Sequence, residues 1–139
     1  LWDSTMAGGV ANIWGYLLEP YWETFIATGK SGPYPNPEWI STNAEFFRRR
    51  FLKDMVRDNS LTDGVCLRSP DGAHYLFYKE DASSIKVDLT AMNGAQAAVA
   101  VDAKAPYAEI AVGVLEPAQH TWTAPYASDW AIAVGSFNR

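Results

Sequence analysis

The sequence predicts a mainly β protein: a seven- or eight-stranded antiparallel β-sandwich preceded by two helices. Three observations lead there. From Asp63 onward, apolar residues recur with a period of two. Turn-forming clusters separate these runs at spacings of about 8–12 residues, the pattern of a sandwich or barrel. Upstream of Asp63 the period changes to that of a helix.

In chain order, the Gly- and Ala-rich segment Met6-Ala7-Gly8-Gly9-Val10, leading to Trp14-Gly15, predicts a helix over residues 5–18 whose small residues allow close backbone approach. A loop is expected over residues 27–35, because Gly29, Gly32, Pro33 and Pro35 disfavour regular structure. Asn36-Pro37-Glu38 then makes a helix start: Asn caps, Pro fits the first turn and Glu suits the positive end of the dipole. Thr42 and Glu45 offer an alternative capping box. This second helix runs to about Arg57, with Ile40, Ala44, Phe47, Phe51 and Met55 as its buried stripe. The run Arg48-Arg49-Arg50 reads as a solvated face. Strands are expected at 65–69, 73–79, 84–89, 97–102, 109–115, 121–124 and 130–137. Pro70-Asp71-Gly72, Asn93-Gly94, Ala105-Pro106, Glu116-Pro117 and the stretch from Pro125 to Ser128 stand between them. The chain therefore divides into a helical segment, 1–60, and a β-domain, 61–139.

Composition removes several function classes. The 139 residues carry a net charge of −5, and basic residues cluster only at Arg48–Arg50, so nucleic acid is not expected as a partner. No stretch reaches the roughly 18 apolar residues of a membrane span. His74 and His120 are isolated and Cys66 is alone, so neither a metal site nor a disulfide is expected. Cys66 lies in an apolar strand and reads as a small buried hydrophobe. No nucleophile elbow or phosphate-cradling glycine loop is present, and no cofactor is implied.

The order of segments is a Gly-rich stretch ending in Trp-Gly, a Pro-rich loop, an Arg-rich helix and a β-domain. It resembles the C-terminal end of TIM-barrel glycoside hydrolases with a trailing β-sandwich. The nearest group is the glycosidase-like proteins whose last domain is labelled a collagen-binding domain. The matching stretches are Met6 to Val10 with Trp14-Gly15, Glu45-Phe46-Phe47-Arg48-Arg49-Arg50-Phe51, Ser69-Pro70-Asp71-Gly72, Tyr75-Leu76-Phe77-Tyr78 and Ser128-Asp129-Trp130-Ala131-Ile132-Ala133-Val134. Where those relatives often carry a Trp-Tyr-Asp-Pro type motif, this chain has Val101-Asp102-Ala103-Lys104-Ala105-Pro106-Tyr107. The resemblance implies that residues 1–18 are the exit of the last barrel strand and its helix. The rest of the (β/α)8 barrel, with the catalytic acids, would then lie upstream. An extracytoplasmic location is implied in the same way.

A glycosidase needs two carboxylates about 5–9.5 Å apart in a pocket. Asp3, Glu19 and Glu23 have no spacing that predicts such a pair and read as surface charges or caps, so no catalytic residue is assigned. Candidate carbohydrate-binding residues are Trp14, Tyr16 and Trp22 near the barrel-like exit, with Trp122 and Tyr126 around a Pro-containing turn of the β-domain. Packing of the same rings is the competing explanation. Three functions stay open: an accessory region of a glycoside hydrolase-like protein, an independent carbohydrate-binding module, or a structural module. Residues 1–30 are expected either to self-associate or to pack on a barrel.

Overall fold

The computed structural model describes residues 1–7, 36–50 and 52–137. Helices α1 (Trp2–Met6) and α2 (Pro37–Arg50) precede six strands: β1 (Val56–Arg57), β2 (Val65–Arg68), β3 (Tyr75–Asp88), β4 (Gln96–Asp102), β5 (Ile110–Leu115) and β6 (Gln119–Val134). The strands form one antiparallel sheet in the order β1-β2-β3-β6-β4-β5. The mainly β class is therefore correct, with six strands instead of seven or eight. The expected strands at 73–79 and 84–89 are one continuous strand, β3, and those at 121–124 and 130–137 are another, β6. The breaks read between them are bulges rather than turns. The short β1 escaped the sequence pattern, being two exposed residues.

β3 cannot be straight. Fourteen residues at about 3.3 Å each would span about 46 Å. Yet just outside its two ends, the Asn93 N–H donates to the Gly72 carbonyl at 3.1 Å. Midway, Asp63 accepts from both the Lys79 ammonium (2.7 Å) and the Lys86 N–H (3.0 Å). The bend falls at the register shifts between Lys79, Ala82 and Ser84, where Asp81 has φ 45. The sheet thus doubles over, making two layers from one ribbon. Between them lies a core of Tyr75, Phe77, Ile85, Val87, Trp130 and Ile132.

The outer face of the first layer is buried as well, so the run from Tyr75 to Tyr78 is buried at all four positions. Leu76, Tyr78, Ala131 and Ala133 face the helices and pack with Trp2, Met6, Phe46 and Phe47. Trp2 stacks on Tyr78, with centroids 5.1 Å apart and planes at 9°. At the far edge, β5 is solvated: Ile110 is 39% and Val114 68% exposed. The expected core alternation of Ile110, Val112 and Val114 fails there because a register shift between Ala98 and Val99 interrupts the pairing. Val112 alone of the three packs against the inner core.

The helix expected over 5–18 overlaps α1 (Trp2–Met6) at Thr5 and Met6, and residues 8–18 lie outside the described residues. Three expectations are corrected, all of them for the second helix. The second helix stops at Arg50 rather than near Arg57. Its buried face is Thr42, Asn43, Phe46, Phe47 and Arg50. Ile40 is half-buried, Ala44 is exposed, Met55 lies beyond the helix against the outer core, and the side chain of Phe51 is outside the described set. Thr42 is no cap: it sits mid-helix and its hydroxyl donates to the Ala105 carbonyl at 2.6 Å. Asn36 does mark the helix start, with φ 54 and its carbonyl accepting from the Trp39 N–H at 3.0 Å.

Candidate functional site

The bend of the ribbon builds the most distinctive surface feature. Ala82 pairs with Ser128 and Ser84 with Thr123, so four residues of β6, 124–127, stand opposite the single residue Ser83. Pro125 has no N–H to give a ladder, which suits it to this excursion. The bulge lifts Tyr126 out of the sheet, 54% exposed.

The ring is nonetheless fixed. Its hydroxyl donates to Asp102 Oδ2 at 2.9 Å, while Asp102 Oδ1 accepts from the Ser128 hydroxyl at 2.8 Å and the Lys104 N–H at 2.9 Å. The Tyr126 hydroxyl is held above its usual pKa, first by this bond to Asp102 and then by partial burial. Trp130 Nε1 donates to the Tyr126 carbonyl at 3.0 Å, and the two rings lie 5.2 Å apart. Trp122 also meets Trp130, edge-on and at 5.2 Å. The predicted pair Trp122 and Tyr126 is thus brought together through Trp130, which is fully buried. Trp122 is half-buried against the inner core, whereas Tyr126 is presented to solvent. Trp14, Tyr16 and Trp22 lie outside the described residues. Sequence reasoning missed Asp102 as the group that orients Tyr126. Its signal was present only as a carboxylate at a strand end, 24 residues away.

A second feature is a polar cleft of about 320 Å³ beside the 3-10 turn Asn59–Leu61, lined by Asp63, Lys86, Asp88, Gln119, His120 and Thr121. Its carboxylates are engaged. Asp88 is held below its usual pKa by the Thr90 hydroxyl, the Thr90 N–H and the Gln119 amide. Partial burial pushes Asp63 up, but the Lys79 ammonium and the Lys86 N–H outweigh it and leave the pKa lowered. Every described carboxylate with a displaced pKa is displaced downward. A glycosidic general acid needs the opposite shift.

The histidines are apart. His74 Nε2 lies 3.0 Å from the Ser136 carbonyl and His120 Nε2 2.8 Å from that of Glu116. Among the described residues no group of three or more His, Cys, Asp or Glu is placed to hold a metal, and no helix is long and apolar enough to cross a membrane. Cys66 is fully buried, as its strand context implied, and burial pushes its thiol pKa well up.

No family model matches the chain, and no curated protein matches it. Solved structures do. A glycoside hydrolase family 5 protein from Bacteroides vulgatus superposes with a TM-score of 0.56 at 14% identity, over 71% of this chain and 23% of that one. A second structure, described as a glycoside hydrolase, gives a TM-score of 0.60 at 14% identity, over 94% of this chain and 30% of that one. The chain thus spans between about a quarter and a third of the glycoside hydrolases it resembles, and what it shares with them is a glycosidase-like fold.

Proposed function

We propose that this chain is the accessory β-region of a glycoside hydrolase-like protein, which stabilises a catalytic barrel or contacts carbohydrate and does not hydrolyse glycans by itself. The observation that carries it is the superposition of 94% of this chain on 30% of a glycoside hydrolase. The six described carboxylates with displaced pKa values are held in their charged form, which supports an accessory role over an acid-catalytic one. Purified chain incubated with aryl glycosides and a polysaccharide panel is expected to release no reducing ends above a heat-treated control. Robust turnover would overturn the proposal.

Tyr126 favours a second reading, an independent carbohydrate-binding module. An exposed aromatic ring clamped by a hydrogen bond and by a tilted aromatic neighbour is a preorganised face for a sugar ring. Retention on an insoluble polysaccharide that disappears in Tyr126→Ala and survives in Tyr126→Phe would support this reading. Retention indifferent to both changes would count against it.

A further inference from the structure

Beyond the last turn of α2, a groove of about 600 Å³ opens on the outer face of the sheet, with Arg48, Arg49 and Arg50 on one side and Phe137 among its lining. Its floor includes Val99 and Ala133, which pair across β4 and β6. The chain as a whole carries a net charge of −5. Three guanidiniums nonetheless line this groove and pair with only two carboxylates, Glu45 and Glu109, a balance of +1 among these groups.

The cations are positioned in advance. Arg48 forks onto Glu45, with Nη2 2.8 Å from Oε1 and Nε 3.0 Å from Oε2. Arg49 Nε donates to the same carboxylate at 2.6 Å, and its guanidinium carbon lies 5.1 Å from the centre of the Tyr107 ring. One carboxylate cannot saturate two groups of five N–H donors each. Arg48 and Arg49 stay 65% and 50% exposed. Phe137, half-buried, is braced by His74 with ring centres 4.8 Å apart.

We infer that this groove binds an acidic glycan, with Arg48 and Arg49 taking the uronate carboxylates and Phe137 packing against a sugar ring. Guanidinium forks match carboxylates in charge and in planar geometry. The apolar floor with an aromatic wall suits the C–H face of a pyranose. The choice of a glycan rests on the proposed function above.

The test measures binding of oligogalacturonate to the whole chain by calorimetry at low and moderate salt, alongside the neutral cellohexaose and a poly-glutamate peptide of similar charge. Oligogalacturonate is expected to bind, to weaken as salt rises, and to bind at least about tenfold less tightly to Arg48→Gln/Arg49→Gln, since two charge-assisted contacts are lost. Both side chains are exposed, so the double variant should keep the wild-type melting temperature. Undiminished binding in that variant, or salt-independent binding by the wild-type chain, would overturn the inference. Equal binding of poly-glutamate would overturn the glycan assignment. Cellohexaose binding without oligogalacturonate binding would refute this groove and leave the carbohydrate reading standing. Binding of neither would refute both the groove and the glycan-contact part of that reading.

Discussion

Replacement of Arg50 should loosen the anchor between α2 and the sheet. Its side chain is 8% exposed. One Nη donates to the Tyr107 hydroxyl at 2.7 Å and the other to Glu109 Oε1 at 2.6 Å, while the guanidinium lies 4.9 Å from the centre of the Phe46 ring. Arg50→Met keeps most of the apolar stem and removes these three contacts. A neutral hydrogen bond contributes about 1 kcal/mol and a charged one about 1.5–3. Glu109 is about a third exposed, so water screens its bond and lowers it toward about 1 kcal/mol. The cation–π contact adds roughly 0.5 kcal/mol or more. The expected loss is therefore about 2–3 kcal/mol, read from urea unfolding followed by tryptophan fluorescence. Glu109→Gln should cost less, and the double variant should show a coupling of about 1 kcal/mol. Burial pushes Glu109 up, but the Tyr107 and Arg50 bonds outweigh it and leave its pKa below the ordinary 4.5. A lowered folded-state pKa gives stability that is complete above the unfolded value and is lost as pH falls through the folded value. The gap between wild type and Glu109→Gln should thus close as pH drops below about 4.5. A loss under about 0.5 kcal/mol for Arg50→Met, or a gap that widens in acid, would refute the anchor.

Gly135 has φ 114, and a Cβ there would sit 2.4 Å from the Ala73 carbonyl oxygen. Gly135→Ala should therefore cost about 3 kcal/mol, against about 1 for Gly94→Ala, where φ is 82 and the space is open; thermal melts of the two variants compare them directly. Trp130→Ala should cost about 3–5 kcal/mol, because Trp130 is fully buried and contacts both Trp122 and Tyr126; a milder loss in urea titration would show that those rings do not depend on it. Tyr126→Phe should change stability by about 1 kcal/mol or less, since only the bond to Asp102 is lost. Cys66 should resist an aromatic disulfide reagent in the folded protein and react fully in denaturant, because burial disfavours its thiolate; rapid labelling of the native chain would contradict the packing around β2.

Much of the β-domain was legible because alternation reports burial directly. Trp130, Ile132 and Val134 point inward as their spacing implies. The count failed where the chain bends without turning. Neither Glu80-Asp81 nor Pro125-Tyr126 reveals that pairing resumes beyond it, since that depends on the partner strand. The stripe of α2 was misread because a buried arginine needs partners, and Tyr107 and Glu109 stand 57 and 59 residues away. Tyr126 was legible as an exposed aromatic, whereas its orientation by Asp102 required the β4–β6 register. Val114 looked like core by alternation and is solvated because the register shift between Ala98 and Val99 puts it out of phase with Val112.

The doubled ribbon also governs how the domain can come apart. In a sandwich of two separate sheets, one leaf can loosen while the other persists. Here β3 and β6 run through both layers, so opening either layer strains a ladder that continues into the other. Amide hydrogen exchange should therefore report one cooperative unit. Amides near Leu76 and near Val87 should exchange with the same opening free energy, although they lie on opposite sides of the bend.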